Sequence, residues 1–165
     1  MARMTLDSPV GCLLLEVKDG GLRRLEFERG ATAPRGTVID DDPGHGRDLD
    51  VLMQAKTELQ QYFYGDLTRF TVPVRLEGPA FQRQVWEALK TIAFGQVLTY
   101  AEIARRLGSP NAARAVGNAC AGNPVAIVVP CHRVLARTGL GGFGGGLPAK
   151  RWLLLHEGYP LPASY

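Results

Sequence analysis

The feature that most constrains the fold is a change of pattern at residues 75–80, "RLEGPA". Before this turn-rich segment, short apolar runs between polar and glycine-rich stretches predict strands, whereas after it apolar residues recur at helical spacing. We therefore predict an N-terminal α/β domain over residues 1–76 and a mostly α C-terminal domain over residues 77–165. A chain of 165 residues has room for two small domains.

In the first part, "CLLLEVKDGGLRRLEFE" predicts the hairpin with which the sheet begins, because Asp19-Gly20-Gly21 tolerates the positive backbone angles of a tight turn. Residues 30–47 are polar and rich in glycine and proline, which predicts a loop with at most one short strand. "RFTVPV" predicts a further strand, and Pro73 favours a sheet edge for it. Between them, a helix that ends at Gly65 is predicted to cover one face of the sheet through Leu52, Ala55, Leu59 and Tyr62.

The second part predicts helices with defined ends. The first presents an apolar face made by Phe81, Val85, Leu89 and Ile92. Thr99 and Glu102 form a capping box for the next, which ends at Gly108. Ser109 as N-cap and Pro110 as the first helical residue then start a third. Two short helices joined by a tight turn are the outline of a helix-turn-helix or of an ordinary helical hairpin.

The third helix carries small side chains around one long residue, Arg114. Small residues let a helix backbone approach another helix or the walls of a nucleic-acid groove. Arg114 has the length to enter a base stack or bind a phosphate, or it pairs with Glu87 or Glu102. The candidate groove-facing residues are Ala112, Ala113, Ala115 and Gly117.

Charge and hydropathy narrow the classes of function. The formal net charge is +3, yet residues 81–165 contain nine Lys or Arg and only three acidic residues. That asymmetry suits a polyanion-binding second domain, or a solvated basic face without a partner. No apolar run approaches the roughly 20 residues of a membrane helix, and the N-terminus does not read as a signal peptide. We expect a cytoplasmic protein.

The cysteines and histidines show no metal-ligand spacing. Cys12, Cys120 and Cys131 form no CxxC pair and no disulfide framework, so reduced thiols are expected. His45, His132 and His156 do not complete a zinc pattern with them. We predict no bound metal and no cofactor.

The run "AIVVP" predicts a buried extended segment that delivers Cys131 to a fixed place, where it packs, ligates or attacks. A free thiol has a pKa near 8.5, so a nucleophile needs a base or positive charge beside it. His132 would act through a turn or a bridging water, because neighbouring side chains of an extended chain point apart. Glu157, at the end of a helix that begins near Pro148, is the candidate group that orients the imidazole.

Between Cys131 and Glu157 lies "TGLGGFGGGL", with six glycines in ten residues. Such a segment exposes backbone N–H groups and lets a planar ligand approach the chain. It lacks GxxxxGK[ST], so it is not predicted to be a phosphate loop.

Residues 81–158 together resemble the O6-alkylguanine-DNA alkyltransferases, in the Pro-Cys-His-Arg core, the "ARAVG" helix, "GNP" ahead of the thiol and the final "LLxxE". The resemblance implies a ribonuclease-H-like sheet with a helix in the N-terminal domain, which matches only loosely. It also implies stoichiometric, irreversible transfer of an alkyl group from O6-alkylguanine, and from O4-alkylthymine, in double-stranded DNA to the cysteine. A monomer is expected, and cooperative binding along DNA is left open.

Roles for individual residues follow from the same resemblance. Cys131 is the alkyl acceptor, activated by His132, a water and Glu157. Tyr100 donates to guanine N3, and Asn123 fixes the turn before the thiol. The carbonyls of Cys131 and Val134 accept from the exocyclic amine. The Gly144 N–H faces O6, while Phe143 stacks on the base. Arg114 fills the space of the flipped base, and Ala112, Ala113, Ala115 and Gly117 enter the minor groove.

Two positions depart from the animal members of that family. Phe143 stands where many relatives have tyrosine, in a loop one residue shorter, and Gly144 stands where a serine precedes paired glycines. The zinc ligands of the animal N-terminal domain have no counterpart. Two other functions stay open on the residues alone, a thiol hydrolase that turns over repeatedly and a DNA-binding module that only senses lesions.

Overall fold

The computed structural model describes residues 1–30, 36–41 and 46–165. The chain forms two compact units, Met1–Leu76 and Glu77–Tyr165. None of the helices within the described ranges combines the length and apolar character needed to span a membrane.

The first unit is an antiparallel sheet of order β3-β2-β1-β4 covered by one long helix. Its elements are β1 (Ala2–Ser8), β2 (Gly11–Lys18), β3 (Gly21–Phe27), β4 (Val38–Asp40) and α1 (Gly46–Tyr64). The predicted hairpin is confirmed: Asp19 and Gly20 have φ of 52° and 75°, the positive values that a two-residue turn between twisted strands requires. The predicted helical face is also confirmed, since its four apolar residues are fully buried.

Two N-terminal predictions are wrong. The sheet begins ten residues earlier than Cys12, because β1 pairs with β2 from Ala2 opposite Val17 to Ser8 opposite Gly11. The segment "RFTVPV" is no strand and makes a single bridge between Val74 and Leu22. The buried Glu58 carboxylate accepts hydrogen bonds from the N–H groups of Thr71 and Val72 at 2.8 and 2.9 Å, and Pro73 has no N–H. These three residues therefore have no N–H group to donate to a neighbouring strand.

In residues 30–47, the predicted short strand corresponds to β4, while residues 31–35 and 42–45 lie outside the described residues, so the loop prediction is untested there.

The second unit is mostly helical. It contains α2 (Ala80–Leu89), β5 (Leu98–Thr99), α3 (Tyr100–Arg106), α4 (Ala113–Ala121), a 3-10 turn (Cys131–Arg133), β6 (Val134–Leu135) and α5 (Leu147–His156). β5 and β6 pair in parallel, with Leu98 opposite Val134. This short ladder brings the start of α3 beside the segment that follows the 3-10 turn. The Trp86 indole N–H of α2 donates to the Ala119 carbonyl of α4 at 2.9 Å.

The capping box of α3 is confirmed. Glu102 N–H donates to Thr99 Oγ1 at 3.2 Å, and Thr99 N–H donates to Glu102 Oε2 at 2.7 Å. Gly108, with φ of 73°, follows the helix as predicted. Ser109 and Pro110 do not start α4, however. They lie in a turn in which the Ala112 N–H donates a hydrogen bond to the Ser109 carbonyl. The helix begins at Ala113 and has no side-chain cap.

The predicted extended segment before Cys131 is also wrong. Residues 125–129 form a turn, in which the Val129 N–H donates to the Val125 carbonyl at 2.9 Å. Ile127 has φ of 69°, a conformation that is costly for a β-branched residue. An apolar run between two prolines has the composition of a buried strand, but hydrogen bonds from outside the run decide its shape.

Candidate active site

Cys131 begins the 3-10 turn and is 7% exposed. What it does expose faces a cavity of about 620 Å³, a volume suited to a small planar ligand. Six of the predicted site residues line this cavity with it, on α3, α4 and the glycine-rich loop: Tyr100, Ala113, Arg114, Gly117, Phe143 and Gly144. The residues that sequence reasoning missed are Asn118, Cys120, Ala121 and Gly142.

The other predicted residues do not line the cavity. Ala112 precedes the first turn of α4, and Ala115 is exposed on that helix. Arg114 is also exposed, and within the described ranges it forms no ion pair, since Glu102 caps α3 and Glu87 binds Lys90. The exposed side of α4 thus combines small residues with one unpaired cation.

Asn123 closes the turn that leads to the thiol. Its side-chain amide donates to the Val129 carbonyl at 2.8 Å and its oxygen accepts from the Val125 N–H at 3.0 Å. Burial raises the pKa of the Cys131 thiol, and the Asn123 side chain acts in the opposite direction. One residue therefore holds the strained turn and acts on the thiol.

Behind Cys131 lies a buried cluster of His132, Arg133 and Glu157. His132 Nε2 is 2.9 Å from Glu157 Oε2, so the predicted pair is in contact. Sequence reasoning did not assign the third member: Arg133 donates through Nε to Oε1 at 2.7 Å and through Nη2 to Oε2 at 2.9 Å. Arg133 Nη1 also donates to the Ile92 carbonyl, which ties the cluster to the end of α2. A bidentate guanidinium fixes the carboxylate in position and orientation.

The charges in this cluster define the histidine tautomer. Burial works to raise the pKa of Glu157, but hydrogen bonds from His132 and Arg133 hold it well below its usual range, so the carboxyl is ionised. Burial lowers the pKa of His132, so the imidazole is neutral at neutral pH. Since Nε2 must donate to the carboxylate, Nδ1 carries no proton and can accept one. Nδ1 is buried and has no partner among the described residues.

The thiol is protonated at rest. Burial is the largest influence and raises the pKa of Cys131, while the Asn123 hydrogen bond and the charge of Lys150 act in the opposite direction. Cys120 is a second thiol on the cavity wall, and burial followed by the nearby Cys131 raises its pKa to about 12. Cys120 is therefore a poor nucleophile at neutral pH.

Lys150 was missed and is fully buried. Its ammonium donates to the carbonyls of Val134 at 2.6 Å, Leu140 at 2.5 Å and Gly142 at 3.0 Å. Burial lowers its pKa to about 8, opposed by the neighbouring thiols. The sequence held a signal for it, because Lys150, Leu153, Leu154 and Glu157 recur at the spacing of one helix face.

The two carbonyls expected to meet a base already accept one hydrogen bond each. The Cys131 carbonyl accepts from the Val134 N–H, and the Val134 carbonyl accepts from Lys150. Each carbonyl oxygen keeps a second lone pair for a ligand.

The described residues contain no group of three or more His, Cys, Asp or Glu side chains that could hold a metal ion.

Fold and site define a two-unit protein in which a helix-turn-helix and a buried cysteine share one unit. Residues 1–76 match the family model described as 6-O-methylguanine DNA methyltransferase, ribonuclease-like domain, and residues 80–159 match that of the DNA binding domain of the same family. The chain therefore belongs to the 6-O-methylguanine DNA methyltransferase family, and the fold class predicted for both domains is confirmed.

Individual relatives agree along most of the chain. The methylated-DNA–protein-cysteine methyltransferase of Mycolicibacterium paratuberculosis is 44% identical, over 97% of this chain and 94% of its own. The protein of that name from Homo sapiens is 39% identical, over 98% of this chain and 82% of its own. The crystal structure of Mycobacterium tuberculosis OGT in complex with DNA is 40% identical and superposes with a TM-score of 0.79, covering 98% of this chain and 95% of that one.

Proposed function

We propose that this protein repairs alkylated DNA by moving the alkyl group of an O6-alkylguanine, and of an O4-alkylthymine, onto Cys131 in a single irreversible step. The observation that carries the proposal is the position of Cys131, which faces a cavity large enough for a base and adjoins a buried His132–Glu157 pair. Membership of the family and the solved relative bound to DNA support it.

The base has to leave the duplex, because stacking and pairing hide the O6 substituent. The exposed face of α4 offers small residues and Arg114 beside the cavity mouth. In the proposal, Ala112, Ala113, Ala115 and Gly117 let the helix enter the minor groove, and Arg114 occupies the space that the base leaves. Recognition of sequence is weak, since minor-groove contacts distinguish bases poorly.

Inside the cavity, polar groups orient the base. Phe143 stacks on it, the carbonyls of Cys131 and Val134 accept from its exocyclic amine, and the Gly144 N–H faces O6. Tyr100 is half-buried, and burial raises the pKa of its hydroxyl, so that it is a neutral donor at neutral pH. It donates to N3 as the base departs.

The transfer itself is a displacement. The Cys131 proton passes through a bridging water to His132 Nδ1, and the Glu157 carboxylate stabilises the imidazolium that forms. The sulfur attacks the alkyl carbon, the bond from that carbon to O6 breaks, and its electron pair goes to the guanine. Tyr100 supplies a proton to N3 and is reprotonated from His132 through solvent. The product is a thioether, which water does not readily cleave, so one molecule repairs one lesion.

Stoichiometry tests the proposal. The protein is mixed with limiting and with excess duplex that contains O6-methylguanine. The number of methyl groups transferred per protein and the mass of the Cys131 peptide are then measured. We expect transfer to stop at about one methyl per protein, with the added mass on that peptide. Repeated turnover would instead identify a thiol hydrolase, and lesion binding without transfer would identify a sensing module.

In this proposal residues 77–165 carry DNA binding and transfer, while residues 1–76 form a separate α/β domain. The monomeric state, the cytoplasmic location, cooperative binding on DNA and the absence of metal and cofactor stay predictions.

A further inference from the structure

Gly142 lies on the cavity wall beside both Lys150 and Tyr100. Its carbonyl accepts from Lys150 at 3.0 Å. Burial raises the pKa of the Tyr100 hydroxyl, and the neighbouring Gly142 backbone acts in the opposite direction. Gly142 therefore links a buried cation to the side chain that faces the base.

The loop approaches Tyr100 very closely at the preceding residue. A Cβ placed on Gly141 would lie 2.6 Å from Tyr100 Oη, and Gly141 has φ of 71°. Glycine is required here both by the space and by the backbone conformation. Without a side chain of its own to pack, this stretch depends on other groups for a fixed position.

Lys150 holds the loop around Gly141 in place. Its three donations reach Leu140 and Gly142, on both sides of Gly141, and Val134 beyond the 3-10 turn. An ammonium has three N–H donors and no acceptor, so the described contacts satisfy it completely. Replacing it would leave three buried or partly buried carbonyls to find new donors.

This arrangement fixes the position of the Tyr100 hydroxyl. The close approach of Gly141 leaves the tyrosine no room to move towards the loop, and Tyr100 lines the cavity. We propose that Lys150 is a positioning residue for alkyl transfer: by holding Leu140, Gly142 and Val134 it sets the loop at Gly141 against Tyr100, so that the tyrosine hydroxyl stays placed for the departing base. The inference rests on the proposed function.

A double-mutant cycle tests this coupling. Single-turnover transfer rates at saturating duplex are measured for the wild type, Lys150→Met, Tyr100→Phe and the double variant. We expect Lys150→Met to lower the rate about 10- to 100-fold in the wild type, because misplacing a catalytic group costs that much. In the Tyr100→Phe background the same change should cost about threefold or less, since the two residues act as a unit. If the rate loss of the double variant equalled the product of the two single losses, the proposal would be overturned.

Controls separate positioning from folding. Lys18→Met removes an exposed lysine from the other unit and should leave the rate unchanged. Lys150→Gln keeps two donors and should lose less than Lys150→Met, which also serves if the methionine variant does not fold. If Lys150→Gln, folded by circular dichroism, transferred no faster than a folded Lys150→Met, the hydrogen bonds would not be the cause.

Nuclear magnetic resonance tests the effect of Lys150 on Tyr100 without relying on alkyl transfer. With tyrosine labelled at the ring Cζ carbon, the Tyr100 resonance is identified by its loss in Tyr100→Phe. Lys150→Gln should shift that resonance and leave the Tyr62 resonance in place. An unshifted Tyr100 resonance in the folded variant would overturn the inference. Failure of the wild type to transfer any alkyl group would refute the proposed function instead, and the resonance would still report on the contact.

Discussion

Replacing Glu157 by glutamine removes one negative charge from a fully buried side chain and leaves its shape almost unchanged. Arg133 then faces a neutral amide, and breaking a buried ion pair from one side costs about 3–5 kcal/mol. The amide oxygen still accepts one hydrogen bond, which favours the lower figure. At about 2–4 °C per kcal/mol for a chain of this size, the melting temperature should fall by about 6–12 °C.

The same substitution should also lower the rate of alkyl transfer. An amide N–H can donate to His132 Nε2, which moves the imidazole proton to Nδ1 and removes the acceptor for the thiol proton. We expect the single-turnover rate to fall about 10²- to 10⁴-fold. Binding to lesion duplex should persist, because Glu157 does not line the cavity.

The stability loss should also depend on pH in a defined direction. Glu157 has a lowered pKa in the folded protein, so its contribution is complete above its ordinary value of 4.5 and is lost as pH falls towards the folded value. The difference in melting temperature between wild type and Glu157→Gln should therefore be constant above about pH 5 and shrink below it.

Glu102→Gln is the matched control for this experiment. Glu102 is a partly exposed carboxylate of the same unit and accepts from the Thr99 N–H in the capping box. Losing an acidic group in a first helical turn costs about 0.3–1 kcal/mol, and transfer should stay near the wild-type rate. A Glu157→Gln protein that transferred as fast as Glu102→Gln would refute the role given to the buried carboxylate.

Three further predictions concern the cavity and its surroundings. Cys131→Ala should bind lesion duplex while transferring nothing, and loss of binding with the fold intact, measured by fluorescence anisotropy and circular dichroism, would contradict the assigned roles. Arg114→Ala should reduce base extrusion, read from 2-aminopurine fluorescence beside the lesion, more than DNA affinity; equal losses would remove it from that step. Gly141→Ala should destabilise the protein by about 1–3 kcal/mol in thermal melts, because its Cβ meets Tyr100 and its φ is positive, whereas Gly139→Ala meets no atom and should cost less.

The features predicted correctly are those whose cause lies within a few residues. The Asp19-Gly20 turn and the Thr99 capping box are made by the same residues that signal them. The helical face of α1 repeats often enough to stand out from chance. In each case the partner of the predicted interaction is close in sequence.

Some failures have distant causes, and one has a local cause. Residues 70–74 have the composition of a strand, but the distant Glu58 carboxylate accepts the N–H groups of Thr71 and Val72. Residues 125–129 look extended, but the nearby Asn123 side chain closes them into a turn, which an apolar composition does not signal. In the site, Glu157 was proposed from its sequence position, while Arg133 and Lys150 went unassigned because their acceptors lie 24, 16, 10 and 8 residues away along the chain.

The buried charges explain how a thiol can be both unreactive at rest and ready for one transfer. Arg133 and Lys150 carry positive charge and Glu157 carries negative charge, so the buried groups around Cys131 hold one excess positive charge. Proton transfer from Cys131 to His132 leaves that total unchanged, and the thiolate forms where a cation already favours it. At rest, burial outweighs the cation and keeps the thiol protonated. Oxidants and stray alkylating agents react with exposed thiolates. A protonated, 7% exposed thiol is therefore protected from side reactions that would consume a nucleophile with a single use.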